Sequence, residues 1–275
     1  MQATLRTIPG NQLPTALREI SDPPEQLYVR GALPSERPVA IVGSRRTTAY
    51  GRRVAGTLAA RLAASGVPIV SGLAFGVDTC AHRAALDSGG RTIAVLPGGV
   101  DRESISPRTN LAVADRIVEQ GGALLSELPA GTAPRKHYYT SRNRLISGLA
   151  RAVVVVEAAL PSGSLVTAQH AADQGRELWA VPGPIDSPTS AGTNRLIRDG
   201  ANPLVSVEEF LEALGIETKP AQATGLLATF PDSPQHVNEL SDRLNRPISE
   251  LETELTKLEL RGLVRKQNDG TYVRT

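Results

Sequence analysis

Short runs of apolar residues recur along the central part of the chain, separated by segments of mixed polarity. The apolar runs predict strands at residues 39–42, 68–71, 92–96, 123–126, 152–156 and 177–181. The intervening segments space their apolar residues as helices do, near residues 50–65, 77–87, 111–119, 141–149 and 164–174. Strands that are apolar at successive positions are buried on both faces, so helices must cover both sides of the sheet. The pattern predicts an α/β fold with an extended Rossmann-type, doubly wound and mostly parallel sheet.

The two ends of the chain depart from this alternation. Residues 1–36 are rich in proline and predict an N-terminal extension that packs on the main domain, which spans residues 37–215. Residues 216–223 predict a linker. Residues 224–275 contain three short helical patterns, the first at 224–229, and then a hairpin with an Asp-Gly turn. Three helices and a hairpin predict a small C-terminal winged-helix domain.

Glycines follow several of the predicted strands. Gly43, Gly72, Gly98 and Gly163 each come after a strand and before the next helical pattern. Ligands of open parallel sheets bind beyond the carboxyl ends of the strands. We therefore expect these turns to line one edge of the sheet and to form a single binding site there.

The turn after the first of these strands predicts a phosphate site. It reads Gly43-Ser44-Arg45-Arg46 and leads into a helix. Backbone N–H groups at a helix N-terminus, a hydroxyl and guanidinium groups all suit phosphate oxygens. The sequence is neither a GxGxxG fingerprint nor a Walker loop. An ordinary strand–helix turn with an arginine on its rim is the alternative.

The distribution of charge says more about partners than its sum, which is only +2. Between Glu36 and Asp78, and again between Glu127 and Glu157, the chain contains arginines but no acidic residue. Two acid-free basic windows predict one positive surface if the fold brings them together. A solvated helix face is the alternative for some of these arginines.

The second basic window predicts contact with nucleic acid. Lys136 and Tyr139 lie just before Arg142, Asn143 and Arg144, in a chain with only 3% aromatic residues. In proteins that bind single strands, bases stack on rings while cations neutralise phosphates. The alternative is a tyrosine pair that plugs the edge of the sheet, with Arg142 or Arg144 in an ion pair.

Hydroxyl groups open the helix predicted near residue 164. Ser162, Gly163, Ser164 and Thr167 follow the strand at 152–156, which contains four consecutive valines. Hydroxyls and exposed N–H groups at a helix start predict another site for an anion. Simple N-capping by Ser162 or Ser164 is the alternative.

Candidates for catalysis and for metal binding are few. Asp78 and His82 lie four residues apart on one helix face, an arrangement that is more often structural than catalytic. No third residue is spaced to complete a metal site. Cys80 is the single cysteine, which excludes an internal disulfide and a multi-cysteine metal site. We expect no catalytic residue, no metal and no cofactor.

The chain also lacks sequence signals for membranes or export. It has no apolar run of about 18 residues, which a transmembrane helix would need. Its first residues, M-Q-A-T-L-R, do not resemble a secretory signal. We therefore expect a cytoplasmic protein with no membrane partner.

The predicted third helix of the C-terminal domain is acidic. Its charged residues are Glu250, Glu252, Glu254 and Glu259 against Lys257 and Arg261. This sign opposes the binding of duplex phosphates, although a winged helix is commonly a DNA reader. We expect an interaction or auxiliary module, with a duplex-reading regulator as an alternative.

Several ordered motifs together support a family resemblance. They are I-V-G-S-R at 41–45, V-S-G-L-A-F-G-V-D-T-C-A-H at 70–82, G-G-R-T-I-A-V-L at 89–96, S-R-N-R-L-I-S-G-L at 141–149, S-G-S-L-V-T-A at 162–168, A-V-P-G at 180–183 and G-T-N-R-L-I-R-D-G-A at 192–201. They resemble the motifs of the DNA processing protein A family, called DprA or Smf. The resemblance covers about residues 12–210. The C-terminal segment is similar to the winged-helix tail of many members.

The resemblance implies a cytoplasmic homodimer that binds single-stranded DNA and loads the RecA recombinase on it. The context would be natural transformation or recombinational repair, and no catalytic reaction is implied. By motif, it implies phosphate contacts at Gly43, Ser44, Arg45, Lys136 and residues 142–144, with base stacking at Tyr139. Thr140 stands where the family has proline. The candidate DNA-binding residues are therefore Gly43, Ser44, Arg45, Arg46, Gly72, Lys136, Tyr139, Arg142, Asn143, Arg144, Ser162, Gly163, Ser164 and Thr167.

An enzyme is the alternative from a different functional class. Nucleoside-monophosphate phosphoribohydrolases share a Rossmann variant of the fold. They carry a motif like P-G-G-x-G-T-x-x-E at the position where this chain has S-G-S-L-V-T-A-Q-H. His170 stands where their catalytic glutamate would be, so the base of a hydrolase is missing. Release of adenine from AMP would favour the enzyme.

Overall fold

A computed structural model describes residues 5–216, 226, 229–231, 233–260, 263–267 and 269–274. The chain divides into two compact units, Met1–Thr218 and Lys219–Thr275. The larger unit contains the α/β sheet, and the smaller one contains the C-terminal helices and hairpin.

The described part of the first unit forms one nine-stranded sheet. Its strands are β1 (Leu5–Pro9), β2 (Gln26–Gly31), β3 (Val39–Val42), β4 (Ile69–Ser71), β5 (Thr92–Val95), β6 (Ala123–Ser126), β7 (Ala152–Val155), β8 (Glu177–Ala180) and β9 (Asn202–Pro203). Their spatial order is β1-β2-β6-β5-β4-β3-β7-β8-β9. The pairings of β1 with β2 and of β2 with β6 are antiparallel, and the others are parallel.

Helices cover both faces of this sheet. They are α1 (Thr15–Arg18), α2 (Ala49–Ala64), α3 (Val77–Asp87), α4 (Leu111–Glu119), α5 (Lys136–Leu149), α6 (Gly163–Asp173), α7 (Ala191–Arg198) and α8 (Val207–Ala213). Val39 and Ile41 of β3 pack against α2, α3 and α8, whereas Ala40 and Val42 pack in the core that contains α1, α5 and α6. Every residue of β3 is therefore buried, as its apolar run predicted. The predicted Rossmann-type α/β class is confirmed.

The order of the strands creates a point where the chain reverses direction across the sheet. From β3 the chain proceeds through β4, β5 and β6 on one side, and β7, β8 and β9 then continue on the other side of β3. The connections after β3 and β7 consequently diverge beyond the carboxyl edge. Such a switch point is where open α/β sheets leave room for a ligand.

Two features of the first unit differ from the sequence prediction. Residues 5–9 form a strand that the apolar pattern does not show, because β1 is an edge strand that is largely exposed and pairs only with β2. The helix predicted from residue 141 begins at Lys136 instead. Its first turn carries polar and basic residues, so apolar periodicity could not reveal it.

The second unit has its own small core. It contains α9 (Val237–Leu244), α10 (Ile248–Leu260), β10 (Val264–Lys266) and β11 (Tyr272–Arg274), and the two strands are antiparallel. The core residues include Leu240, Leu251, Leu255 and Val264. Most of the predicted first helix, at 224–229, and of the predicted linker, at 216–223, lies outside the described residues.

Candidate functional site

A cleft of about 690 Å³ lies at the switch point, beyond the carboxyl ends of β3 and β7. We call it the switch-point cleft. The turn after β3, one side of α5 and the N-terminal turn of α6 form its walls. The structure brings these candidate residues to it: Gly43, Ser44, Arg45, Arg46, Tyr139, Arg142, Asn143, Ser162, Gly163, Ser164 and Thr167. Residues far apart in the chain meet here because parallel strands end at one edge.

An arginine and an aromatic ring meet at the mouth of the cleft. The Cζ atom of Arg45 lies 5.0 Å from the ring centroid of Tyr139, which is a cation–π distance. Arg45 is exposed and Tyr139 is half-buried, with its hydroxyl 3.3 Å from Oγ of Ser106. Within the described part of the chain no carboxylate forms a salt bridge with Arg45 or with Arg46. Both cations therefore remain available to an anionic ligand.

The N-terminus of α2, which the sequence predicted as a phosphate-binding site, is occupied by a carboxylate. Oε2 of Glu157 accepts hydrogen bonds from Thr47 Oγ1 at 2.7 Å and from Thr48 N at 2.9 Å. Thr48 Oγ1 donates to Oε1 of the same side chain at 2.5 Å and also accepts from Gly51 N. Glu157 is 3% exposed. Glu157 thus takes the place that a phosphate would have at this helix end, while phosphate contacts of Gly43, Ser44, Arg45 and Arg46 stay predictions.

Glu157 was missed in the sequence, although a signal was present. It is the first residue after the apolar run that forms β7, and it therefore reaches the carboxyl edge of the sheet. An acid at that position must find donors, because a buried carboxylate without partners is costly. Glu157 finds them in Thr47 and Thr48, which follow the neighbouring strand β3.

The N-terminus of α6 is the one that faces the cleft without a bonded carboxylate among the described residues. Ser162 Oγ accepts from Ser164 N at 3.3 Å and lies 2.8 Å from Ser164 Oγ. Asn143 Nδ2 donates to the carbonyl of Gly163 at 3.2 Å, so α5 holds this turn in place. Ser162 therefore caps the helix, and the positive end of the helix dipole still faces the cleft.

Arg142 forms the floor of the cleft rather than its rim. The side chain is buried, and Nη1 donates to the carbonyl of Val95 at 2.6 Å. Its Nε has no hydrogen-bond partner among the described residues. A Cβ atom at Gly72 would lie 1.9 Å from Nη1, so only glycine leaves room for the guanidinium. Burial lowers the pKa of Arg142 to about 10, which still leaves it charged at neutral pH.

Asp78 and His82 are structural residues that do not bond to each other. Asp78 Oδ2 accepts from the backbone N atoms of Gly72 at 3.1 Å and Ala74 at 3.3 Å. Burial raises the pKa of Asp78, against the effect of Arg142 and of these two hydrogen bonds. His82 Nδ1 lies 2.7 Å from Thr92 Oγ1 and is fully buried. Burial lowers the pKa of His82 to about 3, so its imidazole is neutral.

Three of the candidate residues do not line the cleft. The N–H group of Gly72 is bonded to Asp78 and is not free for a ligand. Arg144 donates two hydrogen bonds to Glu127, at 2.9 and 2.7 Å, and one to Asp22 at 2.8 Å. This ion pair is the alternative that the sequence had offered for Arg144, and its phosphate contact stays a prediction. Lys136 is exposed and lies one turn before Tyr139 on the same face of α5.

The chain is similar along almost its whole length to proteins of one family. The model of the DNA recombination-mediator protein A family matches residues 4–215, and that of the DprA winged helix domain matches residues 212–270. The chain belongs to the DprA family. Protein Smf of Escherichia coli is 41% identical over 281 residues, which is 95% of this chain and 74% of that protein. DNA processing protein DprA of Bacillus subtilis is 43% identical over 76% of this chain and 71% of its own length.

Solved structures of DprA proteins share the fold. The X-ray structure of DprA from Streptococcus pneumoniae has a TM-score of 0.71 and 37% identity, covering 76% of this chain and 74% of that one. DprA from Helicobacter pylori has a TM-score of 0.68 and 33% identity, covering 78% of this chain and 98% of that one. The latter structure was described for its single-stranded DNA binding mode. The second unit of our chain is confirmed as the DprA winged helix.

Two further observations bear on the kind of partner. In the parts of the chain that the structure describes, no helix has the length and apolar character needed to cross a bilayer. Within the same residues, no group of three or more His, Cys, Asp or Glu side chains is arranged to hold a metal ion.

Proposed function

We propose that this DprA protein binds single-stranded DNA in the switch-point cleft. The observation that carries the proposal is the contact of Arg45 with Tyr139 at the mouth of a cleft whose other wall is the N-terminus of α6. A cation, an aromatic ring and a positive helix end together match the phosphates and bases of one nucleic-acid strand.

Different residues of the cleft would contact the phosphates and the bases of the strand. Arg45 and Arg46 are exposed and would neutralise phosphates, and the hydroxyls of Ser162 and Ser164 would donate hydrogen bonds to them. Arg142 would add positive potential from below, because it is buried and charged. The ring of Tyr139 would stack on a base.

The same geometry favours a single strand over a duplex. Tyr139 is half-buried in the cleft wall, so only a base that leaves its own stack can reach the ring. Bases of a duplex are stacked on each other and present only their edges in the grooves. Stacking on a protein ring is therefore typical of single-strand binding.

We propose binding without catalysis. The carboxylates in and beside the cleft, Asp78 and Glu157, are held by backbone and hydroxyl donors. Neither is free to act as the base of a phosphoribohydrolase, and His170 is not among the residues that line the cleft. Incubation with AMP should therefore release no adenine, and its release would favour the enzyme.

Family membership supports a wider role for the bound strand. We propose that the protein acts in the cytoplasm as a homodimer and loads RecA recombinase on the strand, in natural transformation or recombinational repair. Size-exclusion chromatography with light scattering would measure the mass of the protein in solution and so test the homodimer. RecA filament formation on strands coated with a single-strand-binding protein, with and without this protein, would test the loading step.

The central experiment is a salt titration of oligo-dT binding by the protein and by Arg45→Ala. Each phosphate contact on a single strand contributes about 0.7 to the slope of log K against log salt. Arg45→Ala should weaken binding and lower that slope by about this amount.

The matched control is Arg116→Ala, which removes the same charge from an arginine paired with Asp87. It should leave the slope unchanged. Equal changes in the two variants would contradict a phosphate contact at Arg45, and preference of the unmodified protein for duplex DNA would contradict the proposed function.

A further inference from the structure

Phe75 is an exposed aromatic residue outside the cleft described above. Its side chain is 49% exposed, in a chain that contains only three phenylalanines. It lies in the segment 72–76 between β4 and α3. A large ring left in water is notable here, because it adds little to the core and the chain has few aromatic residues.

The backbone just before Phe75 is held in place. Leu73 has a φ of 56°, which is uncommon for a residue other than glycine, and its side chain is fully buried. The carbonyl of Leu73 accepts from Asn110 Nδ2 at 2.9 Å, and that of Ala74 accepts from Thr79 Oγ1 at 2.5 Å. The exposed ring is therefore presented by a fixed segment, not by a loose one.

The neighbours of Phe75 place it beside the mouth of the switch-point cleft. Ala74, which precedes it, is one of the residues that line the cleft. Gly76, which follows it, packs against the turn after β3, since a Cβ atom there would lie 2.2 Å from the carbonyl oxygen of Ser44. Val77 N donates to that same oxygen at 3.2 Å. Phe75 consequently lies on the side of the cleft that is formed by the turn carrying Arg45.

We propose that Phe75 is a second stacking residue, which holds a base of the bound single strand just outside the cleft, beyond Arg45. This inference rests on the proposed function. The strand would place one base on Tyr139 and a later base on Phe75, with Arg45 neutralising phosphate between them. Arg45 is exposed, and its backbone packs against Gly76, the residue after Phe75; this nearby cation favours a nucleic acid over an apolar protein surface as the occupant.

The test compares three variants of the full chain by fluorescence anisotropy with labelled oligo-dT. Phe75→Ala should weaken binding about 5- to 150-fold, because one stacked base contributes about 1–3 kcal/mol. Phe75→Leu should weaken it similarly, because it keeps apolar bulk but loses the ring. Phe75→Trp should retain the affinity. The salt slope should be unchanged in all three, since no phosphate contact is removed.

Val205→Ala is the matched control, because Val205 is an apolar residue that is 65% exposed elsewhere in the first unit. It should bind as the unmodified protein does. A bromodeoxyuridine-substituted strand should also photocross-link to the peptide that contains Phe75, and this signal should disappear in Phe75→Ala.

The outcomes of these experiments distinguish a failure of the Phe75 inference from a failure of the proposed function. If Arg45→Ala and Tyr139→Ala weaken binding while Phe75→Ala does not, Phe75 has no stacking role and the cleft proposal stands. If Phe75→Leu binds normally, or if Phe75→Trp fails to restore binding, the contact is not a stacking one and the inference is wrong. If the unmodified protein does not bind single strands, the proposed function itself fails and this inference with it.

Discussion

Glu157 places a buried carboxylate against the first turn of α2, beside a cleft whose arginines attract phosphate. Its bonds to Thr47 and Thr48 fix the end of the turn that carries Arg45. The positive end of α2 stabilises this charge, as it would stabilise a phosphate. The residue therefore acts as an internal anion that anchors the turn, and Arg45 and the N-terminus of α6 remain the proposed contacts of the ligand.

Replacing this carboxylate should show how much it stabilises the turn. Glu157→Gln keeps the shape but removes the charge, so it weakens three hydrogen bonds to a charged acceptor. We expect the free energy of unfolding to fall by about 1–3 kcal/mol, measured by urea denaturation. Glu208→Gln is the control, because Glu208 forms an exposed ion pair with Arg61. Similar losses of unfolding free energy in Glu157→Gln and Glu208→Gln would show that Glu157 does not stabilise the turn.

His82 gives the fold a defined sensitivity to acid. Burial lowers the pKa of His82 to about 3 from the ordinary value of 6.5 that the unfolded chain should have. Between these values the unfolded state binds a proton that the folded state excludes, so stability falls as pH falls. The loss begins near pH 6.5 and should reach about 1.4 kcal/mol at pH 5.5 relative to pH 7.5.

Urea denaturation at the two pH values measures this loss, and His82→Gln should abolish most of it. His170→Gln is the matched control, since His170 is only partly buried. It should retain the full pH dependence. A pH dependence that survives in His82→Gln would assign the effect to other groups.

At the scale of elements, α5 shows why a basic run in the sequence does not form one basic surface. Lys136, Tyr139 and Asn143 are spaced three and four residues apart and share a face of the helix. Arg142 turns inward to the floor of the cleft, and Arg144 turns to Glu127. Neighbouring residues of a helix differ in direction by about 100°. Arg142 and Arg144 are two residues apart, so they differ in direction by about 200° and have different partners.

The N-terminus of α5 also breaks a local rule. Arg135 occupies the N-cap position without a side-chain capping bond, and Lys136 and His137 follow, with no acidic residue in the first turn. Cations at the positive end of a helix dipole are unfavourable. Local rules are most often broken at functional sites. A bound phosphate near Lys136 would relieve this repulsion, so Lys136 stays a predicted phosphate contact although it does not line the cleft.

For the molecule as a whole, the residues of the switch-point cleft all belong to the first unit. The first unit also has its own core, separate from that of the second. Residues 1–216 alone should therefore bind oligo-dT with the affinity and salt slope of the full chain. Anisotropy titrations of both proteins, with circular dichroism to check folding, measure this.

Arg45→Ala in the shortened chain serves as the control and should weaken binding as it does in the full chain. A large loss of affinity on removing residues 217–275, with the fold intact, would show that the second unit contributes to the strand-binding site.

The charge of the second unit fits an auxiliary role. Two of the glutamates on α10, Glu250 and Glu254, form salt bridges with Arg246. Glu252 remains exposed on the same helix. Such a surface offers little to duplex phosphates. We therefore keep the proposal that this winged helix is an interaction module.

The architecture and most of the cleft could be predicted because their signals lie in short stretches of the sequence. Each buried strand is a short apolar run, and the turns that carry Gly43, Arg45 and Ser162 come directly after or soon after such runs. In a parallel sheet, position after a strand is enough to place a residue at the binding edge. Local patterns therefore determined the sheet, its double winding and the group of turns at its edge.

Tertiary packing alone decided which of those side chains are free. Glu157 fills the end of α2, Glu127 and Asp22 engage Arg144, and the segment held by Asp78 and Asn110 leaves Phe75 in solvent. Each of these contacts joins residues that are distant in sequence or depends on which face of an element is covered. Apolar periodicity records burial along one element, but it does not record which polar groups the completed fold brings within hydrogen-bonding distance.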